Sequence, residues 1–284
     1  MIYLILAVIS SALISICMRL SEKYIKNEMS MFLVNYALCA ILSVAFMDKS
    51  GAVLGSHDQH FTVILGMITG AIFLGGFLLL KYNMKHNGMV LAATFLKLGV
   101  IIPTVMAVIA FGEIPTMMQI IGITIAIVAI IIIHFDNEDL NEAKSSKVNK
   151  KIWLIVLLIL GGVGDSMSNI FEKIGPANGD DGYLLVAFLT ACSITGALVL
   201  FGKKKICKED ILFGLLVGVP NYFSARFLLA SLGELEAVIV YPTYSVGMMI
   251  VIAIVGVMAF HETISKRKGL SLGLIAVAIT LLNI

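Results

Sequence analysis

The chain has 284 residues, of which 60% are hydrophobic and only 13% charged, with a mean hydropathy of +1.02 and a net charge of +2. A soluble domain carries about 25% charged residues, and a water-soluble fold of this length could not cover so much apolar surface, so the bilayer is the solvent for most of the chain. The small, scattered positive charge excludes nucleic acid as the partner that defines function.

About 20 apolar residues are needed to cross roughly 30 Å of hydrocarbon as a helix. In chain order, spans are predicted at 2–20, 30–47, 61–81, 88–111, 115–134, 152–174, 182–202, 209–232, 236–260 and 267–284. No basic region precedes the first apolar run, so it is expected to be a retained span rather than a removed signal. Span two carries Asn35 and Tyr36. Span three carries Gly66 and Gly70, a GxxxG pattern that lets helix backbones approach closely. Span four contains Lys97 and Pro103 and ends on Phe111-Gly112-Glu113. Span six contains Asp165 and, one turn later on the same face, Asn169. Span eight has a second GxxxG at Gly214 and Gly218, then Pro220 and Arg226. Span nine opens on Tyr241-Pro242-Thr243-Tyr244 and ends on Phe260-His261-Glu262, and Gly269 and Gly273 open span ten.

Glu113 and Glu262 are 149 positions apart, and the two GxxxG patterns fall in spans three and eight, which correspond. These echoes divide the chain into a first five-helix repeat (1–134), a charged linker (135–151) and a second five-helix repeat (152–284). Five spans is an odd number, so the second repeat enters from the opposite side of the membrane. The expected fold is therefore an all-α integral membrane protein of ten transmembrane helices in two inverted repeats, an arrangement that supports alternating access. Sixteen lysines and arginines fall in or flank the odd-numbered connections, whereas the opposite side has Lys49 and Lys173 alone. Positive loops stay in the cytoplasm, which predicts a cytoplasmic-membrane protein with both termini outside. Cys17, Cys39, Cys192 and Cys207 show no metal-ligand spacing and are expected to form no disulfide.

The ten-span count, the 5+5 repeat, and the Gly-Glu or His-Glu that closes spans four and nine before a Gly-containing helix together resemble the drug/metabolite transporter superfamily, in its ten-helix type with two EamA-like repeats. The resemblance covers essentially the whole chain. It implies a secondary transporter of small organic solutes with a central cavity lined by helices of both repeats. Two features depart from the family. Its ten-helix members are generally drawn with both termini in the cytoplasm, the reverse of what the lysines predict here. Its four-helix members carry a glutamate in their first helix, whereas residues 2–20 hold no acid.

Charged groups at membrane depth are costly and tend to mark function. At about 1.5 Å per residue, Lys97, Asp165 and Arg226 lie at increasing depths from the inner face. Two readings of these residues stand side by side. Asp165 and Arg226 form a structural ion pair, or Arg226 snorkels outward; alternatively, the cations receive a substrate carboxylate or phosphate and Asp165 takes an amine or a proton. The substrate-binding candidates are Lys97, Asp165, Asn169, Arg226, Tyr241, Tyr244, Asn35 and Tyr36, with Asp165 the candidate for proton coupling. Glu113, Glu262, Pro103, Pro220 and Pro242 are expected to be structural, the glutamates tying hairpins or capping the helix that follows. No catalytic residue, cofactor or metal is expected: the chain lacks GxxxxGK[ST] and HExxH, and Gly164-Asp165-Ser166 is too short a match to a lipase motif to carry an active site. The expected function is secondary active transport of a small polar or amphipathic metabolite, with protons as a candidate coupling ion and a monomer or weak homodimer as the unit. An uncoupled facilitator or exchanger and a membrane-embedded enzyme are the alternatives.

Overall fold

The computed structural model describes residues 1–21, 24–47, 59–87, 95–96, 98–134, 148–176, 179–202, 206–260 and 266–282. Among them are the helices α1 (Ile2–Ser21), α2 (Glu28–Ala45), α3 (Gln59–Asn87), α4 (Ile101–Phe111), α5 (Met117–His134), α6 (Val148–Ile174), α7 (Asp180–Phe201), α8 (Lys208–Glu234), α9 (Ala237–Phe260) and α10 (Lys266–Leu282). A backbone in hydrocarbon must satisfy its own polar groups, and a helix does so within one segment. Six of the helices, α1, α2, α3, α6, α7 and α8, are long and apolar enough to cross a membrane. Ile109, Leu200 and Phe201 are 78%, 79% and 86% exposed, a placement suited to lipid and not to water. The chain is an all-helical, multi-pass membrane protein.

Three boundaries differ from expectation. Helix α3 runs to Asn87, six residues past the predicted end at 81. Helix α6 begins at Val148, inside the stretch read as linker, while 135–147 lies outside the described residues. Span four is not regular throughout: Phe95, Leu96 and Leu98 are helical, the chain tightens at Gly99 and Val100, where Val100 keeps a right-handed helical φ of −54 and ψ of −23, and α4 starts at Ile101. Pro103 has no N–H to return to the Gly99 carbonyl, which instead accepts the Ile102 N–H at 3.0 Å. Pro103 therefore sits in the first turn of α4, where a missing N–H costs little, and the irregular turn lies just ahead of it.

The chain forms two compact units, each drawing helices from both sequence halves. The first comprises Met1–Leu74 and Ile170–Gly233. Here α2 packs along α7. A Cβ added to Gly70 would lie 2.2 Å from the Ala187 carbonyl of α7, and one on Gly214 would lie 2.8 Å from the Met31 carbonyl of α2. Both GxxxG patterns thus mark backbone-to-backbone approaches, which in lipid are rewarded by dispersion contacts. Tyr36, Tyr183, Tyr222, Phe32 and Phe188 are buried in this unit. Asp210, also buried, receives the backbone N–H groups of Lys26 and Asn27 on one oxygen (2.9 and 3.1 Å) and that of Cys207 on the other (3.0 Å). The Cys207 bond is the return arm of a capping box; the others pin the start of α2 to the start of α8.

The second unit comprises Gly75–Asn169 and Glu234–Ile284. Helix α5 packs along α10, and α9 packs against α4, α5 and α10. Ala126, Ala129, Val246, Met249 and Ala278 form its small-residue core. A Cβ on Gly122 of α5 would lie 3.1 Å from the Ala278 carbonyl of α10, whereas one on Gly273 would meet nothing within 4 Å. Among the described residues, Gly273 therefore marks no close helix approach.

Three helix pairs run antiparallel. The C-cap of α2 (Phe46) and the first turn of α7 (Asp181) meet at Arg226. Glu113, just past the end of α4, bonds Val238 in the first turn of α9. Gly122, near the start of α5, faces Ala278 and Leu282 at the end of α10.

Candidate functional site

In the second unit, one face of α6 gathers the chemistry. A Cβ on Gly162 would lie 2.4 Å from the Gly99 carbonyl, so the irregular part of span four passes against bare α6 backbone. Ser166 donates its hydroxyl to the Gly162 carbonyl at 2.8 Å and is thereby silenced. Asp165 is half-buried. Its backbone carbonyl accepts the Tyr241 hydroxyl of α9 at 2.6 Å, which fixes α9 beside this face and gives buried Tyr241 a positioning role. Asn169 follows one turn later, aligned with Asp165. It is 0% exposed, and neither its Nδ2 nor its Oδ1 has a partner among the described residues. The Thr243 hydroxyl, next to Pro242 on α9, is likewise buried and unpartnered. Leaving a buried polar group unpaired costs about 1–3 kcal/mol, and such groups call for an explanation. The Asn169 amide offers two donors and one acceptor, and a carboxyl adds more. Together they suit a solute carrying both donors and acceptors. Tyr244 is half-buried one turn from Val240 in α9. Lys97 lies outside the described residues.

Arg226, Asn35 and Tyr36 belong to the first unit and form different surroundings. Arg226 finds its ion-pair partner within this unit. Its Nη1 lies 3.3 Å from Asp181 of α7, donates to the Phe46 carbonyl at the end of α2 at 3.1 Å, and bonds the Tyr222 hydroxyl one turn earlier on α8. Its guanidinium also lies over the Phe46 and Tyr222 rings, at 5.7 and 5.9 Å. One cation thus ties three helix segments together near the ends of α2 and α7, away from mid-helix depth. Arg226→Gln is expected to lower stability by about 1 kcal/mol, in the range of partly exposed charge-assisted contacts, and to leave uptake affinity unchanged. A thermal melt in detergent beside a concentration series of uptake checks this; an affinity loss with an unaltered melt would return Arg226 to the substrate.

Asn35, 0% exposed in the middle of α2, accepts the Asn221 amide at 3.2 Å, and Ser11 shares a 2.5 Å hydroxyl bond with Ser224. Tyr36 is fully buried in the first unit. Pro220 lies inside α8 and Pro242 inside α9. Glu113 is buried and caps a helix, but not the one that follows it: its Oε2 accepts the Val238 N–H of α9 at 3.0 Å. The turn that delivers it uses Gly112 at φ 68, a left-handed conformation that glycine adopts without a Cβ clash. Glu262 lies outside the described residues.

Sequence reasoning missed Asp181, Phe46, Tyr222, Gly99, Asn221 and Thr243. Asp181 had a signal, being an acid in the first turn of a span opposite a membrane arginine. Tyr222 is four residues before Arg226, one turn away. Gly99 had only its place four residues ahead of Pro103.

No family model matches the chain, and no curated protein matches it. It is similar to a solved structure described as "Crystal structure of protein", with a TM-score of 0.75 at 10% identity over 99% of this chain and 94% of that one. At that identity the likeness speaks for the fold alone.

Proposed function

We propose that the chain is a secondary transporter that carries a small polar or amphipathic organic solute across the cytoplasmic membrane by alternating access. The observation that carries this reading is the antiparallel pairing of α2 with α7, α4 with α9 and α5 with α10. Each pair joins a helix to its own counterpart in the other sequence half. Counterparts meet head to tail when a two-fold axis in the membrane plane relates two inverted repeats, and inverted repeats are the architecture of alternating access. The exchange of α3–α7 for α8–α2 at the two GxxxG patterns supports the same relation. In this reading ten helices span the membrane with both termini outside, as the lysine asymmetry indicates.

The substrate contacts in this reading are Asp165, Asn169 and Thr243, with Tyr241 and Tyr244 shaping the α9 side. Asp165 is the group that binds a proton in coupled uptake. Counterflow in proteoliposomes against a metabolite panel tests the class: labelled solute must accumulate against an internal unlabelled pool. Chemical conversion of the solute instead would establish an enzyme. Asp165→Asn is expected to abolish proton-driven uptake while sparing exchange, and an intact proton-driven signal in that variant would remove Asp165 from coupling.

A further inference from the structure

We infer that the end of the second unit formed by the last turns of α3 and the first turns of α6 is a binding site for the headgroup of an anionic phospholipid. The two segments are locked together. Asn83, 0% exposed, donates its amide to the Leu79 carbonyl of its own helix at 2.9 Å and to the Trp153 carbonyl of α6 at 3.0 Å. Around that tie stands an aromatic group. Tyr82 lies edge-on to Trp153 at 5.7 Å and beside the His86 ring at 4.2 Å. A carbonyl only accepts, so His86 Nδ1 donates to the Tyr82 carbonyl at 2.8 Å, and this holds the ring in place.

Among the described residues of these two helix ends, the charged positions are all lysines. Lys81 and Lys85 stand one turn apart in the last two turns of α3, and Lys150 and Lys151 occupy the first turn of α6. The start of α6 adds the positive end of its helix dipole. Trp153 and Tyr82 are 42% and 38% exposed. Directly along α6, Ile152, Ile155 and Ile159 are 60%, 52% and 50% exposed. A phosphate-bearing group with hydrocarbon tails fits this order of cations, amphipathic rings and bare aliphatics. Aromatic rings favour the headgroup level, and basic pockets between membrane helices hold acidic headgroups. A free phosphate would leave the aliphatic surface unused.

Trp153 is the single tryptophan of the chain, so its fluorescence reads this site and no other. The full chain is reconstituted in phosphatidylcholine vesicles containing an equal fraction of brominated phosphatidylglycerol or of brominated phosphatidylcholine. Brominated phosphatidylglycerol is expected to quench Trp153 more strongly. Lys85→Gln, Lys150→Gln and Lys151→Gln are each expected to cut that preference about fivefold, the weight of one basic residue near an acidic surface. Equal quenching of the unaltered protein by the two lipids overturns the inference without any variant. So does an equal loss on neutralising Lys203, Lys204 and Lys205, which would show diffuse attraction rather than a local site. Loss of the preference on adding inorganic phosphate would reveal a site for a free anion and overturn it too. None of these readouts depends on transport.

Discussion

Gly162→Ala is expected to cost about 3 kcal/mol of stability and to abolish transport, the largest effect of any alanine substitution in the second unit. The added methyl would lie 2.4 Å from the Gly99 carbonyl oxygen and 2.7 and 2.8 Å from two carbons of Ile102. The first obstacle is backbone and the second a branched side chain in the first turn of α4, so neither swings aside. Either α6 moves away from the turn in span four or that turn is rebuilt. Both displace Asp165 and Asn169, which follow on the same helix. Gly76→Ala is the matched control, since a Cβ there meets nothing within 4 Å. Replacing a mid-helix glycine by alanine in open space should raise stability by about 0.5–1 kcal/mol. The two variants must therefore move the thermal midpoint in opposite directions, and equal melting of both would show that the approach of Gly99 to α6 is not tight.

The helices were legible because hydrophobic runs in lipid have only one common solution, the self-satisfied helix. Helices stand where apolar runs were read, with shifted ends such as α2 starting at Glu28 and α3 running to Asn87, and six of them are long and apolar enough to cross a membrane. The failure in span four is informative. An apolar run has no periodicity that marks where a helix tightens, and the turn at Gly99 and Val100 depends on a glycine in a distant helix. The GxxxG patterns told which faces pack closely but not against what, and Gly273 shows that such a pattern alone proves nothing. Charge was harder. Arg226 was legible as costly, yet its partner Asp181 lies 45 positions away on another helix. Depth arithmetic ranks residues along a normal to the membrane and carries no information about neighbours around it. Glu113 illustrates the same limit: a cap was legible, but the helix that it caps starts at Ala237.

Asn169→Leu is expected to separate stability from function. Leucine shares the branched four-atom side-chain skeleton of asparagine and removes both amide atoms together. Those atoms are buried without partners among the described residues, and an unpaired buried polar group costs about 1–3 kcal/mol. Deleting the donor and the acceptor at once orphans no neighbour among the described residues, since none of them bonds the Asn169 side chain. The variant should therefore melt higher by about that amount, while counterflow of the solute falls at least tenfold, the equivalent of about 1.4 kcal/mol of lost interaction. This opposition is the mark of a group kept for its ligand at the expense of the fold. A purely structural asparagine gives the reverse sign, since its loss would break bonds and lower the melt. A higher melt with full transport would mean that the solute never touches this amide, and the binding face of α6 would then have to be sought around Asp165 alone.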